Sequence, residues 1–506
     1  MKRFHVGAMC LVAGGWLALC AQAVTLNTLF TEGAIVQQGV SVPVWGTAEP
    51  GETVTVTFAD QTKQAMADAQ GNWVIRLNPM AASAEPRVLV AIGQRPEARL
   101  EIPGVLVGEV WVCSGQSNMQ WSLGQSEGGT NAAQQVQDPL FRLFKVPNIM
   151  SDTPLQQVAG RWTSSEFSNS IQASGVAFFF GRELRAARNV PVGLILTSWG
   201  GTPAEAWMPR ALLESDPEFQ AILDQHARAV DVYTPEKAEA DFQRNLANWS
   251  NQVEKARAEN RPVPYRPRLQ VHPSESPTRP GSLYNAMIHP LLPYALAGAI
   301  WYQGESNAGR AKQYETLFPA MIQNWRQAWG LGDFPFLFVQ IAPYHGMGPA
   351  IREAQLVAWQ NTPGTMMVVT ADVGEEADIH PRKKEPVGAR LARAARAVAY
   401  GEDIVYSGPV YRALRVEGNR VSLEFDHIGS GLTAAEGGLQ DFEIAASGTT
   451  NFVPAIAVIE GDRVIVQSPD VAAPGAVRYA WKNWFVGSLF NQEGLPATPF
   501  RTDRTP

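Results

Sequence analysis

The chain has 506 residues, of which 45% are hydrophobic and 18% charged, and carries a formal net charge of −7. That composition belongs to a packed globular protein too long for one ordinary domain, and it excludes a disordered or fibrous chain. The negative balance argues against nucleic acid as a partner.

At the start, Met1-Lys-Arg precedes an apolar stretch over 6–20 and the small-residue exit Ala21-Gln-Ala23. This reads as a signal peptide over 1–23, cut after Ala23. The apolar stretch is short for a membrane span and contains glycines, which disfavours an anchor. Leu19 stands where a lipidated Cys20 would need a small residue before it. Loss of Lys2 and Arg3 with the leader takes the formal charge from −7 to −9. Cys10 and Cys20 leave too, so Cys113 alone remains and no intrachain disulfide can form in an exported chain.

Over 24–104 short apolar runs alternate with turns, as in Thr53-Val-Thr-Val-Thr-Phe58, and predict an N-terminal β-sandwich. Trp45 and Trp73 there suit a core better than a sugar platform. Over 105–400 the pattern alternates: strands over 107–113, 141–146, 192–197, 297–302, 336–341 and 366–370, and helices over 176–188, 313–329, 350–360 and 386–400. This predicts an α/β fold, a parallel sheet covered on both faces, with ligands at the carboxyl ends of the strands. The pattern lapses over about 215–280, where a charged helix over 235–260 and a Pro-rich run read as an insertion or lid. From 401 to 506 the sequence is β again, with hairpin turns at Glu417-Gly-Asn419 and Glu460-Gly-Asp462.

Gly108-Glu-Val-Trp-Val-Cys-Ser-Gly-Gln-Ser-Asn-Met119 runs from an apolar strand into a small-residue turn, a setting that presents a hydroxyl nucleophile. Ser117 at the entry of a helix gains from the free N–H groups and the dipole there, which favours it over Ser114. Of the seven histidines, His380 is the best candidate base, in a polar loop between a strand and the helix near Pro386.

This stretch resembles the first block of the SGNH/GDSL hydrolases, in the form used by the sialate O-acetylesterase-like carbohydrate esterases. Ser198-Trp-Gly-Gly-Thr-Pro-Ala-Glu-Ala-Trp207, Trp301-Tyr-Gln-Gly-Glu-Ser-Asn307 and Asp378-Ile-His-Pro381 follow in matching order. The resemblance implies a flavodoxin-like three-layer α/β/α catalytic domain between the β regions. It also implies a Ser117 nucleophile with His380, and an oxyanion hole from the Ser117 N–H, a glycine N–H and a side-chain amide. Gly201 is the preferred glycine over Gly200, and Gln303 the preferred amide, with Asn307 its rival. The usual aspartate three residues before the histidine is replaced by Ala377. Asp378 stands two before instead, so a triad and a dyad both remain open. Trp207, Glu305 and His289 are weaker substrate-binding candidates, for each of which a packing role also suffices.

The expected protein is an exported, periplasmic or extracellular serine esterase that needs no cofactor or metal and does not stay in a membrane. Its expected substrate is an acetylated carbohydrate, either hemicellulose such as xylan or xyloglucan, or sialic acid; the acidic chain leans toward a neutral sugar. The alternatives are a sugar-binding protein on an inactive hydrolase core, a short-chain lipase or thioesterase, and a deacetylase using Asp378 and His380 as metal ligands.

Overall fold

The structure is a computed structural model that describes residues 24–95, 98–259, 263 and 266–504. The expected leader over 1–23, and part of the Pro-rich run, lie outside the described residues.

The centre is a mostly parallel sheet with strand order Thr365–Val368, Phe336–Val339, Gly298–Tyr302, Arg99–Gly115, Val192–Ser198, Gln137–Lys145 and Trp162–Glu166. Every neighbouring pair is parallel except the last, whose antiparallel edge strand the sequence pattern does not predict. Trp162–Glu166 is only five residues long and alternates weakly between buried and half-buried positions. The inner strands are buried along their whole length, which accounts for their continuous apolar runs.

Helices cover both faces. Ser114 pairs with Trp301 in the sheet register, and Trp111 with Gly298, so the two tryptophans face opposite sides. Trp111 meets Phe180 of helix Gly175–Arg188, while Trp301 stacks on Phe318 of helix Ala311–Trp329. Helix Glu385–Val398 lies against Gly175–Arg188; a Cβ at Gly388 would be 2.7 Å from the Phe180 nitrogen, so glycine permits that close approach.

The expected boundary at 104 falls inside a single strand. Arg99–Gly115 runs 17 residues from the N-terminal β region into the central sheet, and Ile35–Gln37 pairs with it in parallel. One continuous hydrophobic core joins the N-terminal β region to the catalytic layers. Trp45 packs against Phe30 and Tyr294, and Trp73 is buried, so both serve the core.

The C-terminal region holds the two expected hairpins, Val410–Glu417 with Arg420–Asp426 and Ile456–Glu460 with Arg463–Gln467. It braces the loops that follow the last parallel strands. The Gly487 N–H donates to the Ala371 carbonyl at 2.9 Å, and Arg501 pairs with Glu353 at 2.9 Å. The insertion carries two helices, Pro217–Asp231 and Pro235–Ala258. No helix among the described residues is long and apolar enough to cross a membrane.

Candidate active site

Strand Arg99–Gly115 ends in a residue that must be glycine. Gly115 has φ +136°, and a Cβ there would lie 2.2 Å from the Tyr302 carbonyl oxygen. The chain therefore turns tightly against the neighbouring strand end, where the Gln116 N–H donates to that same carbonyl at 2.9 Å. Ser117 then opens the one-turn helix Ser117–Gln120, whose first N–H groups have no partner within the turn. Ser117 is half-buried and Ser114 fully buried inside the strand, so only the former hydroxyl reaches the surface of the site.

His380 arrives on the loop between strand Thr365–Val368 and helix Glu385–Val398. Its Nε2 lies 2.9 Å from Ser117 Oγ. The imidazole stacks on the Trp121 indole, with ring centroids 5.1 Å apart and planes 15° from parallel. Asp378 Oδ1 accepts the His380 backbone N–H at 2.8 Å and lies 3.4 Å from Nδ1. Burial pulls the imidazole below its ordinary range; Asp378 opposes that pull and the Lys384 charge adds to it. The pair is thus set for a neutral imidazole that can accept the serine proton near neutral pH.

Of the two glycines in the second motif, Gly200 packs on Ser117. A Cβ built there would sit 3.2 Å from Ser117 Cβ, whereas one on Gly201 would meet nothing within 4 Å. Gly201 instead supplies the turn, with φ +77°. The Gly200 N–H donates at 2.8 Å to Gln120 Oε1, an exposed side chain on the serine turn. The expectation favoured Gly201 as the donor, and of the two glycines it is the Gly200 N–H that is already committed, to Gln120.

Neither expected amide stands free. Gln303 is fully buried and commits both amide hydrogens, to the Thr202 carbonyl at 3.3 Å and to Asn307 Oδ1 at 2.6 Å. Its own carbonyl accepts the Tyr314 hydroxyl at 2.9 Å. Asn307 donates to Glu205 at 2.9 Å and accepts the Ala204 N–H at 2.9 Å. The two amides hold the loop that carries Gly200 and Gly201 against the strand end.

Glu305 does reach the site. Its Oε1 accepts from Asn118 Nδ2 at 2.6 Å, and burial pushes its carboxyl up from the ordinary range. Trp207 has no ring face open to a sugar: it is fully buried, donates its N–H to Thr202 Oγ1 at 2.9 Å and meets Trp301 edge-on. His289 lies 2.9 Å from the Leu155 carbonyl through Nδ1 and packs on Tyr284, which ties two chain segments together. Trp121, Asn118 and Lys384 were not expected. Trp121 and Asn118 sit within four residues of Ser117, and Lys384 four beyond His380, so proximity to the motifs was their only signal in sequence.

Between the insertion and the loop after Gly201 lies a cleft of about 720 Å³, walled by Pro203, Glu205, His226, Tyr233, Arg268 and Arg310. Among the described residues, no group of three or more His, Cys, Asp or Glu side chains is arranged to hold a metal ion.

The sequence matches the carbohydrate esterase family described as sialic acid-specific acetylesterase, over residues 107–238 and 274–397. It is 30% identical to the sialate O-acetylesterase of Mus musculus over 517 aligned residues, covering 90% of each chain. It is 27% identical to the sialate O-acetylesterase of Homo sapiens, covering 90% of this chain and 88% of that one. The solved structure of a carbohydrate acetylesterase from Xanthomonas citri superposes with a TM-score of 0.78 at 37% identity, covering 95% of this chain and all of the other. By these matches the chain belongs to the sialic acid-specific acetylesterase family of carbohydrate esterases, as a carboxylic ester hydrolase.

Proposed function

We propose that this is an exported esterase that removes O-acetyl groups from a carbohydrate through an acyl-enzyme on Ser117, on an SGNH-type scaffold. As Ser117 Oγ bonds to the acetyl carbon, its proton passes to His380 Nε2. The carbonyl π electrons move onto oxygen, where the Ser117 N–H and an N–H of the turn at Gly200 and Gly201 stabilise the charge in this reading. The bond to the sugar oxygen then breaks, and His380 returns the proton to that oxygen. Water repeats the sequence on the acetyl-serine, giving acetate and free Ser117. The observation that carries this reading is the 2.9 Å approach of His380 Nε2 to Ser117 Oγ across 263 residues of chain.

For the substrate, the acidic balance of the chain supports a neutral hemicellulose, such as xylan or xyloglucan. Sialic acid is the second reading. It is favoured by the names of the curated relatives, which are sialate O-acetylesterases. Export rests on the leader over 1–23.

Acetate release from acetylated xylan, xyloglucan, xylo-oligosaccharides and sialosides, beside Ser117→Ala, tests class and substrate together. The expected result is release from at least one sugar, lost by a factor of at least about 10³ in Ser117→Ala. Activity persisting in that variant removes the serine mechanism.

A further inference from the structure

Beneath the catalytic pair lies a buried lysine that the reaction as described does not use. Lys384 is fully buried, although it immediately precedes helix Glu385–Val398. Both facts are unfavourable in isolation: burial strips the ammonium of water, and a helix N-terminus repels a cation. A lysine retained against both effects needs partners that repay its position.

Those partners form a short chain of contacts. Lys384 Nζ donates to Asn118 Oδ1 at 2.6 Å. Asn118 Nδ2 donates in two directions, to Glu305 Oε1 at 2.6 Å and to the Ile379 carbonyl at 3.0 Å. One amide, on the residue after the nucleophile, thereby bridges a buried cation and a buried carboxyl group. It also grips the backbone of the residue before His380. The ammonium faces the rings of Tyr302 and Trp121 at 5.4 and 5.9 Å, and Trp121 is the indole on which His380 stacks.

We propose that Lys384 is a positioning residue for ester hydrolysis, acting through Asn118 to hold the His380 loop against the Ser117 turn, while its ammonium charge favours the neutral, proton-accepting imidazole. The charged and titratable groups around it are Glu305, from the loop after strand Gly298–Tyr302, and Glu375, Asp378 and His380, from its own loop. Burial brings Lys384 down to about 7, against the pull of Glu305, Glu375 and Asp378. It therefore carries its charge below about 7, the range in which His380 would otherwise take up a proton.

The inference rests on the Ser117–His380 reading, and the test separates the two. The full chain, Ser117→Ala, Lys384→Met and Asn118→Ala are assayed on 4-nitrophenyl acetate, with kcat and KM followed against pH and folding checked by circular dichroism. For Lys384→Met, kcat falls about a hundredfold at near-constant KM, as expected for a misplaced base. Its acid limb moves to higher pH, because removing a nearby positive charge makes the imidazole easier to protonate. A folded Lys384→Met with parental kcat overturns the proposal, and so does a kcat loss with an unmoved acid limb, which would reduce the lysine to packing. Should Lys384→Met not fold, Asn118→Ala decides: a comparable kcat loss supports the grip on the loop, and parental kcat overturns it. Activity remaining in Ser117→Ala would instead remove the underlying serine mechanism.

Discussion

Replacing Asp378 by asparagine separates a triad from a dyad, because the carboxylate is present but badly placed for the larger role. Its Oδ1 lies 3.4 Å from His380 Nδ1, beyond the usual 2.7–3.2 Å N–H···O range. The same oxygen already accepts the His380 backbone N–H at 2.8 Å. At 3.4 Å, opposite unit charges attract by about 1.2 kcal/mol in bulk water and about 5 kcal/mol at an effective dielectric constant of 20. The Asp378 side chain is 35% exposed, which pulls the value toward the watery limit. About 1–2 kcal/mol of imidazolium stabilisation is therefore at stake, or a roughly 5- to 30-fold loss of kcat. A buried aspartate that fixes the catalytic tautomer is worth about 10⁴ by comparison. The assay is kcat/KM for 4-nitrophenyl acetate across pH. Asp378 opposes the fall in the His380 pKa, so its neutralisation lets the imidazole stay unprotonated to lower pH, and the acid limb moves down as the plateau drops. A loss of a thousandfold or more would refute this placement and restore a full triad.

The two glycines of the second motif should respond differently. Gly200→Ala sets a methyl 3.2 Å from Ser117 Cβ and 3.1 Å from Gln120 Oε1, so it lowers kcat by at least about tenfold with a small change in melting temperature. Gly201→Ala has open space but a φ of +77°, so it costs about 1–2 kcal/mol of stability in denaturant titration and leaves kcat nearly intact. Acetate release is expected to survive exhaustive treatment with a chelator; its loss, restored by added zinc, would return Asp378 and His380 to the role of metal ligands. N-terminal sequencing of the exported protein is expected to begin at Val24, and an intact Met1 in the membrane fraction would replace the leader with an anchor.

The parallel strands and their covering helices were legible because burial on both faces leaves long apolar runs, and the 3.6-residue period survives in helices such as Ala311–Trp329. The edge strand Trp162–Glu166 and helix Pro217–Asp231 escaped. The first is short and half-exposed, and the second lies in an insertion whose charge masked its narrow apolar stripe of Phe219, Ile222 and Leu223. Ser117 and His380 were legible from their motifs, since a strand end leading into a small-residue turn constrains the chain locally. The surroundings of the expected oxyanion residues were not. Whether Gly200 or Gly201 touches the serine depends on which way one turn faces, and whether Gln303 is free depends on Thr202, Asn307 and Tyr314, all brought to it by folding.

The same distinction bears on the two β regions, which composition marks off as separate modules. The strand that delivers Ser117 begins in the N-terminal region, where Arg99–Gly115 pairs first with Ser83–Ile92 and only later with Val192–Ser198. The loop that delivers His380 starts beside Ala371, whose carbonyl is held by Gly487 from the C-terminal region. Each member of the Ser117–His380 pair is therefore anchored to a different flanking region, while Asn118 joins the two segments directly beneath the site. A proton transfer over 2.9 Å tolerates little relative movement of the two loops. The flanking sheets thus help to fix the Ser117–His380 contact in a mechanical sense.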